Sequence, residues 1–250
     1  MEDNGHVLAF MAHPDDAEFL CAGTLARLRD RGYHIHLATA TAGDGGSVEL
    51  GPEQIARIRL EEARRAAEVL DASFHCAGEQ DFLVSYAPAS IRRFVEIVRL
   101  THPFLVITHS PSDYMVDHEV TSQLVRNACF CASAPNMKTL ALPPAAPTTA
   151  IPYLYYASPL EGKDPFGAPV AMARFVDVSG AIDVKQRMLA CHASQRDWLL
   201  RNHGMDEYID SMRRGSAHQG RQCGCAFAEG FRQHRGHAYP QDDILGALLG

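Results

Sequence analysis

The first half of the chain alternates between short apolar runs and longer segments whose apolar residues recur at helical spacing. Apolar runs of this length predict buried strands, and the helical spacing predicts amphipathic helices between them. The predicted strands are residues 6–12, 34–40, 73–77 and 104–109, and the predicted helices are residues 17–31, 52–70, 88–101 and 117 to about 132. This β-α-β-α order predicts an α/β fold with a mainly parallel sheet and helices on both faces.

The second half of the chain carries a weaker pattern. Residues 135–152 are rich in Pro, Ala and Thr, which predicts a surface excursion or a linker. Further strands are expected over 152–158 and 174–178, and a helix over about 181–201. The tail 215–250 is rich in His, Gly and Arg, and we interpret it as a small C-terminal extension. We therefore predict a single domain over residues 1–250.

Composition and charge narrow the classes of function. The 250 residues are 46% hydrophobic and 21% charged, and 23 basic against 30 acidic residues give a formal net charge of −7. This balance, without a basic stripe, argues against nucleic-acid binding. The apolar stretches fall short of the roughly 20 residues that a membrane span needs. The N-terminus has no basic segment and the seven cysteines are scattered, so we expect a reduced cytoplasmic protein.

One turn concentrates candidate chemistry. At the end of the first predicted strand, residues 12–18 read AHPDDAE. Pro14 restricts its own φ and favours an extended His13, and Asp15 and Asp16 lie where a helix N-terminus favours carboxylates. The run can be an ordinary helix cap. Two adjacent carboxylates repel each other, however, and a bound cation would relieve that repulsion.

The turn offers part of a metal site. A hydrolytic zinc site usually has three protein ligands and a position for water. His13 and Asp16 can converge within the turn, so the third ligand has to come from another strand end. The loop after residues 104–109 leads to His118, which we predict as the third ligand, and mutation would distinguish it from His109.

Two further carboxylates accompany the predicted ligands. Asp117 precedes His118 and is interpreted as a group that orients a neighbouring side chain. Asp15 is then the carboxylate left to accept a proton from water. A metal lowers the pKa of a bound water towards roughly 7, so a nearby carboxylate is a competent base.

Other residues of metal-binding type are assigned no site. His34 and His36 alternate along the second predicted strand, but they lie at its start, away from the predicted centre, and are interpreted as structural. Cys223 and Cys225 lack a matching second pair, so a zinc knuckle is not expected.

The turn together with Asp117 and His118 resembles the LmbE-like, or PIG-L, family of N-acetylglucosaminyl deacetylases. The resemblance covers most of the chain and includes residues 41–46 (TAGDGG), Arg59 with residues 62–63, and residues 228–231 (AEGF). It implies a Rossmann-like fold and a mononuclear zinc site, for which iron is the alternative metal. It also implies hydrolysis of an amide, usually the N-acetyl group of an amino sugar.

The resemblance assigns roles residue by residue. Its metal ligands match His13, Asp16 and His118, and its general base matches Asp15. An arginine that contacts substrate in relatives matches Arg59, with Arg57 as the alternative in register.

Two more residues are candidate substrate contacts. Asp44 belongs to a glycine-rich loop that follows a predicted strand, so we expect it to rim the site, although it can also simply make a turn. His192 lies in a predicted helix and is retained as a candidate near the site.

The chain departs from the family pattern at Met115. Many relatives carry a histidine three residues before the last ligand, where it is thought to stabilise the oxyanion or assist the leaving amine. A thioether can do neither. Three explanations are open: another histidine takes the role, also from a neighbouring subunit; Asp15 acts first as base and then as acid; or the activity is weak or altered. The candidate histidines are His192, His218, His234 and His237.

We therefore expect a zinc-dependent hydrolase that removes an acyl group, with N-acetyl as the expected one, from an amino sugar or a similar small amide. One alternative is a metal-dependent amidase acting on a non-sugar amide such as a thiol conjugate or a natural product. The other is a catalytically weak metal-binding or ligand-binding member. Because relatives often assemble into trimers or hexamers, the resemblance implies a homo-oligomer.

Overall fold

The structure is a computed structural model that describes residues 5–203 and 207–250. The strands are β1 (His6–Met11), β2 (His34–Thr41), β3 (Ser73–Glu79), β4 (Leu105–Thr108), β5 (Tyr153–Ala157), β6 (Arg174–Asp177) and β7 (Ala228–Gln233). The helices are α1 (Asp16–Leu20), α2 (Ala22–Arg29), α3 (Pro52–Glu68), α4 (Pro88–Thr101), α5 (Val116–Cys131), α6 (Ile182–Ala190), α7 (Ala193–His203), α8 (Tyr208–Cys223) and α9 (Ile244–Leu249).

The seven strands of the described residues form one sheet in the order β3-β2-β1-β4-β5-β7-β6. Strands β1 to β5 pair in parallel, whereas β7 pairs antiparallel with both β5 and β6. The chain builds outward from β1 to β3 on one side and then crosses to β4 on the other. The carboxyl ends of β1 and β4 therefore meet at a topological switch point, where sheets of this kind bind ligands.

Side chains of β1 alternate between two apolar layers, because successive strand residues point to opposite faces of the sheet. Val7 packs in a buried cluster with residues of α2, α3, α6 and α9. Leu8 packs in a second cluster with residues of α4 and α5. Helices thus cover both faces, and the prediction of a mainly parallel, Rossmann-like α/β sheet is confirmed.

The predicted helix 17–31 is broken in two at Cys21, and the cause lies at the other end of the chain. The Glu229 carboxylate of β7 accepts the N–H groups of Gly23 and Thr24 at 2.9 and 2.7 Å, which starts α2 as a separate helix. Lys185 of α6 balances this charge with Nζ 2.5 Å from Glu229 Oε1, and both side chains are 1% exposed. The buried pair therefore fixes α2 next to α1, which carries Asp16.

The remaining differences are at the periphery. The expected helix 181–201 is interrupted between α6 and α7. Residues 132–152 connect α5 to β5 without a helix or strand, in agreement with the interpretation of residues 135–152 as an excursion or linker. Part of the tail forms β7 inside the sheet, so the C-terminal extension is partly integrated with it. Within the described ranges, no helix combines the length and apolar composition needed to cross a membrane.

Candidate metal centre

The turn after β1 is held in an uncommon backbone conformation. Asp15 has φ 100° and ψ −21°, in the left-handed region that costs a non-glycine residue roughly 1–3 kcal/mol. The backbone N–H of His13 donates to Asp16 Oδ2 at 2.7 Å, and the N–H of Phe19 donates to the carbonyl of Asp15 at 3.0 Å. These bonds stabilise the turn and direct the Asp16 carboxylate back towards the end of β1.

Two imidazoles and one carboxylate converge at this turn. His13, Asp16 and His118 each offer a ligand atom, and these atoms all lie within 4.8 Å of one another. His13 Nδ1 is 3.3 Å from Asp16 Oδ2, and His118 Nε2 is 3.6 Å from Asp16 Oδ1. Four ligands arranged as a tetrahedron, each about 2.0–2.2 Å from zinc, lie about as far from one another as these two pairs of atoms do. The donor set therefore fits such an ion.

Each of the two imidazoles has a further carboxylate beside the ring nitrogen that does not point at Asp16. Asp113 Oδ1 is 3.0 Å from His118 Nδ1, and Asp117 Oδ2 is 3.2 Å from His13 Nε2. A carboxylate that accepts one ring N–H leaves the lone pair on the other nitrogen, here His118 Nε2 and His13 Nδ1. The sequence predicts the orienting role of Asp117 but not that of Asp113, because no spacing rule relates Asp113 to a histidine across a loop.

The electrostatics of the cluster favour positive charge. Burial alone would lower the pKa of His13, but hydrogen bonds with Asp117 and Asp16 outweigh it and raise that pKa to about 10. Burial would likewise raise the pKa of Asp16, yet the nearby imidazoles of His118 and His109 hold it well below its usual range. The carboxylate charges that favour a proton on His13 equally favour a divalent cation, which would displace that proton on binding.

His109 occupies an adjacent position with a different environment. It forms a second group with Asp113 and His118 whose ligand atoms lie within 4.8 Å, and its ring stacks on His118 with centroids 4.0 Å apart. Its Nε2 lies 2.9 Å from the Ala12 N–H and 3.1 Å from Asp16 Oδ2, so the side chain joins the ends of β4 and β1. Burial lowers the pKa of His109, which favours the neutral ring.

Asp15 lies beside the metal-binding group but within its own network. Tyr208 of α8 donates its hydroxyl to Asp15 Oδ2 at 2.5 Å, and Arg59 Nη2 lies 3.6 Å from the same oxygen. Burial raises the pKa of Asp15, the Arg59 charge opposes this shift, and the Asp16 charge adds to it. Tyr208 was not found from the sequence, since 193 residues separate it from Asp15.

Arg59 lies beneath the turn. It is 4% exposed, and its Nη2 donates to the carbonyl of Pro14 at 2.7 Å. The guanidinium therefore supports the backbone that presents Asp15. Its predicted substrate contact stays a prediction, as does the Arg57 alternative.

Asp44 and His192 hold neighbouring segments. Asp44 Oδ1 accepts the Asp81 N–H at 2.8 Å, which joins the loops after β2 and β3. His192 is 1% exposed, and its Nε2 lies 3.2 Å from Glu18 Oε1. Burial would lower the pKa of His192, but the charges of Glu18 and Asp15 raise it. Substrate contacts by Asp44 and His192 stay predictions.

The histidines considered as substitutes for the one that relatives carry at position 115 lie in different parts of the structure. His234 follows β7, which runs antiparallel to β5, so it lies towards the amino end of β5, at the sheet edge opposite the metal-binding group. His218 is exposed on α8, and His237 is exposed in the segment after β7. His192 is buried, and the charges of Glu18 and Asp15 raise its pKa against the effect of burial.

Two residues with exposed aromatic side chains adjoin the group, Phe82 through its backbone N–H and Tyr114 through its ring. Phe82 is 68% exposed, has φ 67°, and donates its backbone N–H to Asp117 Oδ2 at 2.6 Å. Tyr114 is 61% exposed, and its ring meets that of His118 edge-on with centroids 5.4 Å apart. The polar centre therefore has an apolar rim.

Comparisons with known proteins agree with this architecture. Residues 8–129 match the family model PIG-L: GlcNAc-PI de-N-acetylase. The chain is 26% identical to the diacetylchitobiose deacetylase of Thermococcus kodakarensis over 90% of this chain and 82% of that protein, and 26% identical to the 4-oxalmesaconate hydratase of Pseudomonas putida over 75% and 73%. The solved N,N'-diacetylchitobiose deacetylase of Pyrococcus horikoshii has the same fold, with a TM-score of 0.77 at 22% identity over 96% of this chain and 88% of that chain. The resemblance to the PIG-L family predicted from the sequence is confirmed over residues 8–129, and the chain is similar to enzymes of that family.

Proposed function

We propose that the protein is a metal-dependent deacetylase that hydrolyses the N-acetyl group of an amino sugar, with His13, Asp16 and His118 as the metal ligands. The observation that carries this proposal is the convergence of these three side chains at the switch point of the sheet. The named activities of the Thermococcus relative and of the family model support the substrate class. Two nitrogens and one carboxylate suit zinc, and iron is the alternative.

The residues around the ligands divide the remaining work. When bound, zinc supplies Lewis acidity that polarises the amide carbonyl and lowers the pKa of water. Asp113 and Asp117 orient the two imidazoles through their second nitrogens. Tyr208 and Arg59 both contact Oδ2 of Asp15, so we assign proton transfer to its Oδ1.

Asp15 also takes the acid role in this proposal. Met115 offers no proton, His234 lies at the opposite sheet edge, and His192 is paired with Glu18. A carboxyl group with a raised pKa that accepts a proton from water can return it to the departing amine. The products are then acetate and a free amine.

The test is acetate release from a panel of N-acetylated amino sugars and non-sugar amides by the zinc-loaded protein. We expect turnover of at least one sugar, and near-complete loss in Asp15→Ala while zinc is retained. Asp183→Ala is the matched control, because the Asp183 side chain is 84% exposed. Turnover of non-sugar amides alone would contradict the amino-sugar substrate and favour a non-sugar amidase. Unchanged activity in Asp15→Ala would refute the assignment of Asp15 as the general base.

Hydration of a conjugated double bond is the second candidate function. It is favoured by Met115, since addition of water to a double bond needs no proton donor for a leaving amine, and by the Pseudomonas hydratase among the relatives. An unsaturated dicarboxylic acid in the same panel distinguishes the two, because hydration removes its ultraviolet absorbance and releases no acetate. A cytoplasmic location and a homo-oligomer of three or six chains remain predictions.

A further inference from the structure

Two cysteines meet where α8 ends. Cys223 is the last residue of α8 and is exposed, whereas Cys225 is half-buried. Gly224 between them has φ 81°, a left-handed conformation that glycine adopts at little cost. This turn brings the two sulfur atoms within 3.5 Å of each other.

The contacts that hold the thiols are weak and local. Cys223 Sγ donates to the carbonyl of Gly220 at 3.6 Å, and Cys225 Sγ donates to the carbonyl of Phe227 at 3.3 Å. Thiols are weak donors, so these bonds restrain the sulfur atoms little. By contrast, Cys21 and Cys129 are buried, where small disulfide reagents have no access.

We propose that Cys223 and Cys225 form a redox-active dithiol that exchanges with small-molecule disulfides of the glutathione class. The Cys223 thiolate attacks one sulfur of the disulfide RSSR, a mixed disulfide forms, and the first RSH leaves with the proton of Cys223. Cys225 then attacks Cys223 Sγ, and the second RSH leaves with its proton. Two electrons pass from the pair to RSSR.

The surroundings set the order of attack. Partial burial, the neighbouring Cys223 thiol and the Asp177 carboxylate raise the pKa of Cys225 to about 11. Cys223 is the exposed thiol and therefore reacts first. Cys225, 3.5 Å away, is in position to resolve the mixed disulfide.

The bond is suited to exchange rather than to stabilisation. A disulfide stabilises a fold mainly by restricting long loops of the unfolded chain, and a ring closed over three residues restricts very little. Short rings also depart from relaxed disulfide geometry, which makes them easier to reduce. We therefore expect the fraction of the pair that is oxidised to change with the redox potential of the surrounding thiol–disulfide pool.

The pair is separate from the candidate metal centre. Tyr208, which contacts Asp15, begins α8, and Cys223 ends it 15 residues later. At about 1.5 Å per residue these helix ends are roughly 22 Å apart. The dithiol inference consequently does not depend on the proposed hydrolysis.

Peptide mapping after equilibration with mixtures of reduced and oxidised glutathione tests the inference. Trypsin cleaves after Arg221 and Arg232, so peptide 222–232 carries both thiols and no other cysteine. After alkylation of free thiols, we expect this peptide to lose both alkyl groups as the buffer becomes oxidising, and to be about 2 Da lighter than the unalkylated dithiol. Reduction with dithiothreitol should restore both alkylation sites.

The protein contains a matched control. Cys129 and Cys131 have the same spacing inside α5, where side chains two positions apart do not face each other. Peptide 127–138 carries only that pair and should remain doubly alkylated. In Cys225→Ser the reaction should stop at the mixed disulfide between Cys223 and glutathione. Persistent double alkylation of peptide 222–232, glutathione addition without ring closure in the wild type, or equal oxidation of both peptides would overturn the inference.

Discussion

Replacing Asp113 by alanine removes the carboxylate that faces His118 Nδ1 at 3.0 Å, in a place where both side chains are at most 5% exposed. Water has little access to Nδ1 to replace the carboxylate, so the imidazole loses the partner that keeps its lone pair on Nε2. We expect zinc binding to weaken about 10- to 100-fold, the usual effect of losing such a partner. At about 1.4 kcal/mol for each factor of ten, this is about 1.4–2.8 kcal/mol of binding free energy.

Competition with a chromogenic zinc chelator measures this loss. Asp113→Asn should bind zinc with intermediate affinity, because an amide oxygen still accepts the Nδ1–H. The exposed Asp183→Ala is the control and should match the wild type. Circular dichroism establishes that each variant is folded. Wild-type zinc affinity in a folded Asp113→Ala protein would refute the reasoning that Asp113 orients a ligating His118.

Three further predictions concern the core, the amino-terminal edge of the sheet and the apolar rim. Glu229→Gln leaves the Lys185 ammonium buried without its charge partner, so urea denaturation should show a loss of about 3–5 kcal/mol, and wild-type stability would contradict this. Burial and the neighbouring His75 and His6 lower the pKa of His36 from 6.5 to about 4, so between these pH values the unfolded chain binds more protons than the folded one. The free energy of unfolding should therefore fall by about 1–3 kcal/mol as the pH drops from about 6.5 to 4. It should fall less steeply in His36→Gln, and equal slopes for the two proteins would refute this prediction. Phe82→Ala should raise KM several-fold with little change in kcat, while the 51% exposed Phe130→Ala should change neither, and an unaltered KM would exclude a substrate contact at Phe82.

The sequence predicted the parallel sheet well, because its signals are local. The apolar run of residues 6–12 and the run of residues 34–40 each end within one residue of the observed strands, His6–Met11 and His34–Thr41. His13 and Asp16 follow from spacing within one turn. The prediction of His118 as the third ligand needed one more rule, namely that the carboxyl ends of parallel strands lie at the same edge of the sheet.

Long-range contacts explain what the sequence could not provide. Helix 17–31 breaks at Cys21 because Glu229, more than 200 residues later, caps the N–H groups of Gly23 and Thr24. The sequence does not predict the strand that carries Glu229, since a buried glutamate and a glycine obscure its apolar alternation. The same distance hides Tyr208 from Asp15, and a loop hides Asp113 from His118.

Zinc titration of chelator-treated protein, with acetate release from an N-acetylated amino sugar as the readout, tests the proposed function most directly. The proposal predicts that acetate release is negligible without metal, rises with added zinc and reaches a plateau at one ion per chain. His118→Ala should show no comparable rise, whereas His109→Ala should retain the zinc-dependent increase. Equal acetate release with and without zinc, or a wild-type titration curve in His118→Ala, would contradict a metal-dependent deacetylase built on His13, Asp16 and His118.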